Sequence, residues 1–230
     1  MINLENNQVG FILSILAALA TMFGWVIVAV KKNLSDYLIA IALLFAATAM
    51  ILVSIFELVP TADKAGLDLV AIFAWLAVGV ATVLLLRFGA EKIESSGNKL
   101  EKSATLVAAA LTLHNFPEGS VAISTAIVDL QSGFISALAI SLHNIPEGLA
   151  IAVTAVAAGM ARRKVFFLVA AATISEILGA CVVLYESASL SSAVVAKLLT
   201  VVAGIMLTVS LAELIPHGLH SLKQARVKKN

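Results

Sequence analysis

The sequence holds a single cysteine, Cys181. One thiol excludes an internal disulfide framework and any zinc site built from several thiolates. Taken alone, Cys181 reads as a small buried apolar residue. Charge is also scarce: Asp, Glu, Lys and Arg make up 13% of the 230 residues, where a soluble domain averages about 25%. The first apolar run lacks a basic leader and a small-residue cleavage site, so it reads as a retained helix and not a secretory signal. Nothing resembles a soluble domain, a low-complexity tract or a nucleic-acid-binding segment.

What the chain has in quantity is apolar sequence. It is 61% hydrophobic, with a mean hydropathy of +1.05. Seven runs are long enough for a helix to cross roughly 30 Å of hydrocarbon: about 9–30, 37–60, 68–89, 103–126, 133–159, 165–186 and 194–216. The fold class expected is all-α, a polytopic transmembrane helical bundle forming a single domain over residues 1–230. The connections fall at Lys31-Lys32-Asn33, Thr61 to Gly66, Glu91 to Lys102, Asp129 to Gly133, Arg162-Arg163-Lys164 and Glu186 to Ser192. The longest of them, Glu91 to Lys102, reads as a flexible surface loop.

Basic residues concentrate on the cytoplasmic side of membrane proteins. With the N-terminus outside, 13 of the 15 Lys and Arg residues fall in inner connections or the inner tail, leaving Lys64 and Lys197 outside. The expected placement is therefore multi-pass in a plasma (inner) membrane, N-terminus out, with the tail after the seventh span inside.

Two phrases interrupt this apolar background. His114-Asn115-Phe116-Pro117-Glu118-Gly119-Ser120 lies in the fourth span, and His143-Asn144-Ile145-Pro146-Glu147-Gly148-Leu149 follows in the fifth, 29 residues on. Ionisable groups at mid-membrane are costly and mark functional sites by default. Residues four apart share a helix face, so His114 points with Glu118, and His143 with Glu147. Pro117 and Pro146 deprive the carbonyls of Leu113 and Leu142 of their helical donors, which predicts kinks. Gly119 and Gly148 permit close helix approach.

The span interiors contain Glu57, Glu118, Glu147, Glu176 and Glu213 and no Lys or Arg, with Arg87 assigned to an inner connection and Lys197 to the outer side. Carboxylates in a dry cavity need protons or cations to compensate them. A divalent metal bridged by Glu118 and Glu147 meets that need, with Glu176 as a natural further ligand. Imidazole, amide and carboxylate donors suit Zn²⁺, Fe²⁺, Mn²⁺, Co²⁺ or Cd²⁺, and the missing thiolates argue against Cu⁺. Competing structural readings stand beside each residue: a hydrogen-bonded histidine for His114 alone, a protonated carboxyl for Glu176, and core packing for Met50. His217 and His220 read either as interfacial residues or as metal receivers at the inner mouth.

An internal repeat surrounds these phrases. Met50, Ser54, Glu57 and Pro60 recur as Met206, Ser210, Glu213 and Pro216, each 156 residues later. The topology makes the two copies inverted, with Glu57 near the outer face and Glu213 near the inner one. Inverted repeats around a central site are a common transporter construction; a helix-capping Glu-Leu-x-Pro phrase is the plainer alternative.

On His114-Asn115-x-Pro117-Glu118-Gly119, His143-Asn144-x-Pro146-Glu147-Gly148 and Ser175-Glu176-x-x-Gly179, the sequence resembles the ZIP (Zrt-/Irt-like protein) family of divalent-metal transporters, particularly its broad-specificity bacterial branch. The resemblance covers nearly the whole chain. It implies metal uptake toward the cytoplasm through a binuclear site between the fourth and fifth helices. One position would use His114, Glu118, His143 and Glu147 with Met50 nearby, and the other Asn115, Glu118, Asn144, Glu147 and Glu176. From the inverted repeat, and apart from the resemblance, Glu57 and Glu213 would serve the outer and inner mouths. The partners implied are divalent metal ions and the lipid bilayer, with a homodimer compatible with the small-residue-rich spans.

Three features depart from the family pattern. Family members usually have eight spans, so an eighth is either absent from this molecule or removed from this chain. Ile177 follows Glu176 where the family commonly has proline. The connection before the fourth span has no histidine. Two other readings compete: an intramembrane metalloenzyme, which lacks a His-Glu-x-x-His phrase and an evident nucleophile, and a metal-binding subunit that holds metal without cycling.

Overall fold

A computed structural model describes residues 4–31, 34–93, 99–186 and 191–228. The connections at 32–33, 94–98 and 187–190, and Lys229, lie outside the described residues. Most of the described chain is helical: α1 (Leu4–Ala20), α2 (Met22–Val30), α3 (Asp36–Val53), α4 (Val59–Lys64), α5 (Leu69–Ile93), α6 (Lys99–Val128), α7 (Leu130–Ala157), α8 (Arg162–Glu186), α9 (Ser192–Val209) and α10 (Ile215–Val227). Short polar caps start four of these helices. Ser35, Asp68, Asp129 and Ser191 accept the backbone N–H of Leu38, Ala71, Ser132 and Val194, which satisfies donors that a helix start leaves free.

Six stretches among the described residues are long and apolar enough to cross a membrane. The fourth span, α6, is 30 residues long but more polar, because it carries His114, Asn115 and Glu118. The chain is thus a polytopic helical membrane bundle. Its periphery bears large apolar side chains, including Phe73, Leu85, Phe134 and Leu142, each well over half exposed. Such a surface suits hydrocarbon and not water.

Several expected boundaries shift outward. The fourth and fifth spans are separated by Asp129 alone, and α5 and α6 extend into the Glu91–Lys102 connection from both sides. Arg162, Arg163 and Lys164 form the first turn of α8, and the seventh span continues past Pro216 to Val227. Helices persist there because polar side chains at a membrane surface do not oppose helix formation. Helices α6 and α7 also run uninterrupted through Pro117 and Pro146, so neither proline ends a helix. Cys181 is half-buried instead of fully buried.

Both copies of the inverted repeat contain a widened helical turn, Ser54–Leu58 between α3 and α4 and Ser210–Leu214 between α9 and α10. In each, a backbone N–H reaches five residues back, Val59 to Ser54 and Ile215 to Ser210. The following Pro60 and Pro216 cannot donate and would clash with carbonyls four residues earlier, so the turn expands. Glu57 and Glu213 occupy the same place in these two turns.

The two turns lie at opposite ends of α6. Glu57 borders a cavity shared with Val121, Thr125 and Ser132, whereas Glu213 accepts a hydrogen bond from Ser103. The 22 residues from Ser103 to Thr125 span about 33 Å at 1.5 Å per residue. The beginning of α3 lies beside the end of α10, where Lys228 Nζ meets Asp36 Oδ2 at 2.6 Å. The two repeat copies therefore run in opposite directions.

Helices α6 and α7 form the centre. Helix α6 packs on α7, α8 and α1, and α7 packs on α1, α2 and α3. Helix α5 lies outside, pressed on α9 through Gly79 and Gly204. A Cβ on Gly79 would lie 2.2 Å from Val201 O, and one on Gly204 would lie 2.3 Å from Leu76 O.

Candidate metal centre

The two polar phrases meet where α6 and α7 cross. Their side chains, His114, Asn115 and Glu118 from α6 and His143, Asn144 and Glu147 from α7, are all buried, as is Glu176 from α8. The close contact has a cause in the phrase glycines. A Cβ on Gly119 would stand 1.8 Å from Glu176 O, and one on Gly148 would stand 1.8 Å from Thr21 O. Each central helix is thereby held backbone-to-backbone against a flanking helix, α6 on α8 and α7 on the first span.

The histidines and glutamates pair crosswise. His114 Nε2 lies 2.9 Å from Glu147 Oε1, and His143 Nε2 lies 2.8 Å from Glu118 Oε1. His114 Nε2 is also 3.7 Å from Glu118 Oε2, its neighbour on the same helix. Ligand atoms of His114, Glu118 and Glu147 all lie within 4.8 Å of one another. One imidazole nitrogen and two carboxylates at that spacing can converge on a single divalent cation.

A second polar group adjoins the first. Asn144 Nδ2 donates to both oxygens of Glu176, at 3.0 and 2.9 Å, and to Ala17 O at 2.9 Å. Several buried acceptors have no hydrogen-bond partner among the described residues: Glu118 Oε2, Glu147 Oε2, Asn115 Oδ1 and Asn144 Oδ1. Buried polar atoms are ordinarily satisfied. Oxygen lone pairs gathered in one place are what a cation would satisfy.

The family model for the ZIP zinc transporter matches residues 89–230, which contain all of α6 to α10. The proteins named zinc transporter ZupT in Salmonella newport and Salmonella schwarzengrund are each 35% identical to this chain over 225 residues, covering 91% of it and 86% of their own length. A ZupT of Salmonella paratyphi A aligns with the same identity and coverage. The chain belongs to the ZIP family. It is accordingly a transporter and not an enzyme, which removes the metalloenzyme reading.

In this ZIP-family chain the remaining expected residues fall in three places. Glu57 is exposed and borders a cavity of about 300 Å³ that reaches Glu118 and His143. Met50 is fully buried in the apolar cluster that contains Leu111, Ile151 and Met206. Glu213 is buried at the far end of α6, and Arg87 Nη1 lies 3.7 Å from its Oε1. The expectation that no basic group faces the span carboxylates is therefore corrected at Glu213. Helix α5 continues through Arg87 to Ile93, and the long guanidinium stem reaches inward from its last turns.

His217 and His220 sit on α10 beside a second, smaller cavity shared with Asp36 and Ser103. His217 Nδ1 lies 2.7 Å from Glu213 O, and His220 Nε2 lies 2.9 Å from Gln224 Nε2. The sequence reading missed Arg87, the Ala17 carbonyl and Thr21. A backbone carbonyl leaves no trace in residue identity. Thr21, with Ser14 one of two hydroxyls in an apolar run, was the available signal.

Proposed function

We propose that this chain carries divalent transition-metal cations, Zn²⁺ foremost, across the inner membrane toward the cytoplasm. The crosswise pairing of His114 with Glu147 and His143 with Glu118 carries this reading. Two helices each supply a nitrogen and a carboxylate to one buried locus, a donor set suited to zinc and also to Fe²⁺, Mn²⁺, Co²⁺ and Cd²⁺. Each carboxylate is paired with the opposite helix's imidazole.

The proposed centre is binuclear. One position takes His114, His143 and the two bridging carboxylates of Glu118 and Glu147, with Met50 as a soft neighbour. The other takes Asn115, Asn144, Glu176 and the same bridges. Cations approach past Glu57 through the cavity that borders Glu118 and His143. They leave past Glu213 once its contacts with Ser103 and Arg87 open. The excess of basic residues toward the Glu213 end supports a cytoplasmic assignment for that side, with the N-terminus outside.

Uptake into proteoliposomes of purified protein tests this directly. Zn²⁺ uptake is expected to saturate and to be competed by Cd²⁺, Fe²⁺, Mn²⁺ and Co²⁺ in an order that defines selectivity. Glu147→Ala is expected to abolish uptake while the protein keeps its elution profile. Wild-type uptake by that variant would remove the proposed site, and bound metal without uptake in the wild type would favour a binding subunit.

A further inference from the structure

The first span breaks where it touches the centre. Asn144 Nδ2 donates to Ala17 O at 2.9 Å, and Thr21 N–H bonds instead to Ala18 O, three residues back. Helix α1 accordingly stops at Ala20 and α2 restarts at Met22. A side chain inserted into the i→i−4 ladder is a recognised cause of such a break.

The same contact leaves a hydroxyl without its usual acceptor. Helical threonines in this bundle donate to the carbonyl four residues back, as Thr48, Thr112, Thr154 and Thr200 do. For Thr21 that carbonyl is Ala17 O, which accepts from Asn144. Thr21 is 0% exposed, and its Oγ1 has no partner among the described residues. Asn144 Oδ1 is likewise buried and unpartnered. Gly148, one turn beyond Asn144, brings α7 against the Thr21 backbone.

The opposite flank repeats the arrangement with a different side chain. Thr21-x-x-Gly24 in the first span matches Glu176-x-x-Gly179 in α8, 155 residues later. Glu176 O meets Gly119 of α6 as Thr21 O meets Gly148 of α7. One flank of the centre thus carries a carboxylate and the other a hydroxyl.

We propose that Thr21 is a positioning residue of the metal centre. Its hydroxyl donates to the second lone pair of Asn144 Oδ1 when that oxygen binds a divalent cation. Its own lone pair accepts a hydrogen bond from a water retained on the cation. This rests on the reading of the His-Asn-Glu cluster as the transport site. Partners that orient a metal ligand are worth about 10–100-fold in affinity.

The test uses the full chain with Thr21→Val, which keeps the shape and removes the hydroxyl, and Thr21→Ser, which keeps the hydroxyl. Thr21→Val is expected to weaken equilibrium Zn²⁺ binding by about tenfold and to raise KM for uptake in proportion, with the maximal rate little changed. The ligand-field spectrum of the Co²⁺-loaded protein is expected to change. Thr21→Ser is expected to restore most of the affinity and the spectrum. Without metal, Thr21→Val should melt at or above the wild-type temperature, because removing an unpaired buried hydroxyl is neutral or stabilising. Unchanged affinity and spectrum in Thr21→Val would overturn the proposal. So would a serine variant as weak as valine, or a metal-free melting temperature that falls with affinity. Glu147→Ala in the same assays separates the two readings. If it still binds and transports Zn²⁺, the site itself is misplaced; if it fails while Thr21→Val is unaffected, only the role of Thr21 is lost.

Discussion

His114 and Glu147 belong to different helices, yet their Nε2 and Oε1 atoms lie 2.9 Å apart, and His143 and Glu118 repeat the relation at 2.8 Å. The pairs couple α6 to α7 as well as gathering imidazole nitrogens and carboxylate oxygens in one buried place. His114→Ala leaves Glu147 Oε1 unpaired in a buried place, which is expected to lower metal-free stability by about 1–3 kcal/mol. The double variant His114→Ala/Glu147→Gln should lose less than the sum of the two single changes, because both remove one interaction. Denaturant unfolding in detergent measures this, and strict additivity would show that the pair is not coupled.

Gly119→Ala and Gly148→Ala each place a methyl group 1.8 Å from a backbone oxygen of a neighbouring helix. Backbone cannot yield as a flexible side chain does, so a loss of about 1–3 kcal/mol or more is expected. Gly89→Ala on α5 is the comparison, because nothing lies within 4 Å of its Cβ position. That variant should melt at or slightly above the wild-type temperature, since alanine favours helix. Equal melting temperatures for all three variants would contradict the close packing.

Ser103 and Arg87 hold Glu213 at the end of α6 remote from Glu57. The Arg87 side chain is 55% exposed, so Arg87→Ala should change stability by less than about 1 kcal/mol. Its expected effect is on access. In a Cys181→Ser background, a cysteine placed at Ser103 should react faster with a membrane-impermeant thiol reagent applied from that side once Arg87 is removed. Unchanged labelling would mean that the ion pair does not restrain this end.

Glu57 is the acidic group at the mouth of the cavity leading to Glu118 and His143. Glu57→Gln should raise KM for Zn²⁺ uptake and flatten its dependence on ionic strength, leaving the maximal rate less affected. Uptake kinetics at low and high salt separate the two effects.

Asp129 forms the whole turn between α6 and α7. The Ser132 hydroxyl and then its backbone N–H donate to the carboxylate, holding its pKa below the ordinary aspartate range. A depressed folded-state pKa contributes stability above the unfolded value and loses it as pH falls through the folded one. Ser132→Ala should therefore melt slightly below wild type at neutral pH, and the difference should shrink as pH falls through the acidic range. A difference that widens on acidification would contradict this sign.

Much of the chain was readable before any coordinates. The apolar runs, the scarcity of charge and the His-Asn-x-Pro-Glu-Gly phrases specify a helical membrane bundle with a polar centre, because hydrocarbon tolerates such groups only where they are functional. Spacing of four places His114 with Glu118 and His143 with Glu147 on a common face, since it depends only on helical period. The Met-Ser-Glu-Pro repeat likewise located the two widened turns without predicting their width. Helices α6 and α7 run on through Pro117 and Pro146, where kinks were expected, and the break in the first span comes at Thr21, which no proline marks.

The sequence by itself determined which residues carry imidazole, amide and carboxylate groups and that they lie at mid-span, because residue chemistry and helix period are local properties. Tertiary structure decided the pairing. His114 turns to Glu147 and not primarily to its own helix neighbour Glu118, Asn144 reaches the Ala17 carbonyl, and Arg87 swings back to Glu213. These relations depend on how closely glycines let helices approach and on which backbone groups another helix can reach. Periodicity along one chain carries neither quantity.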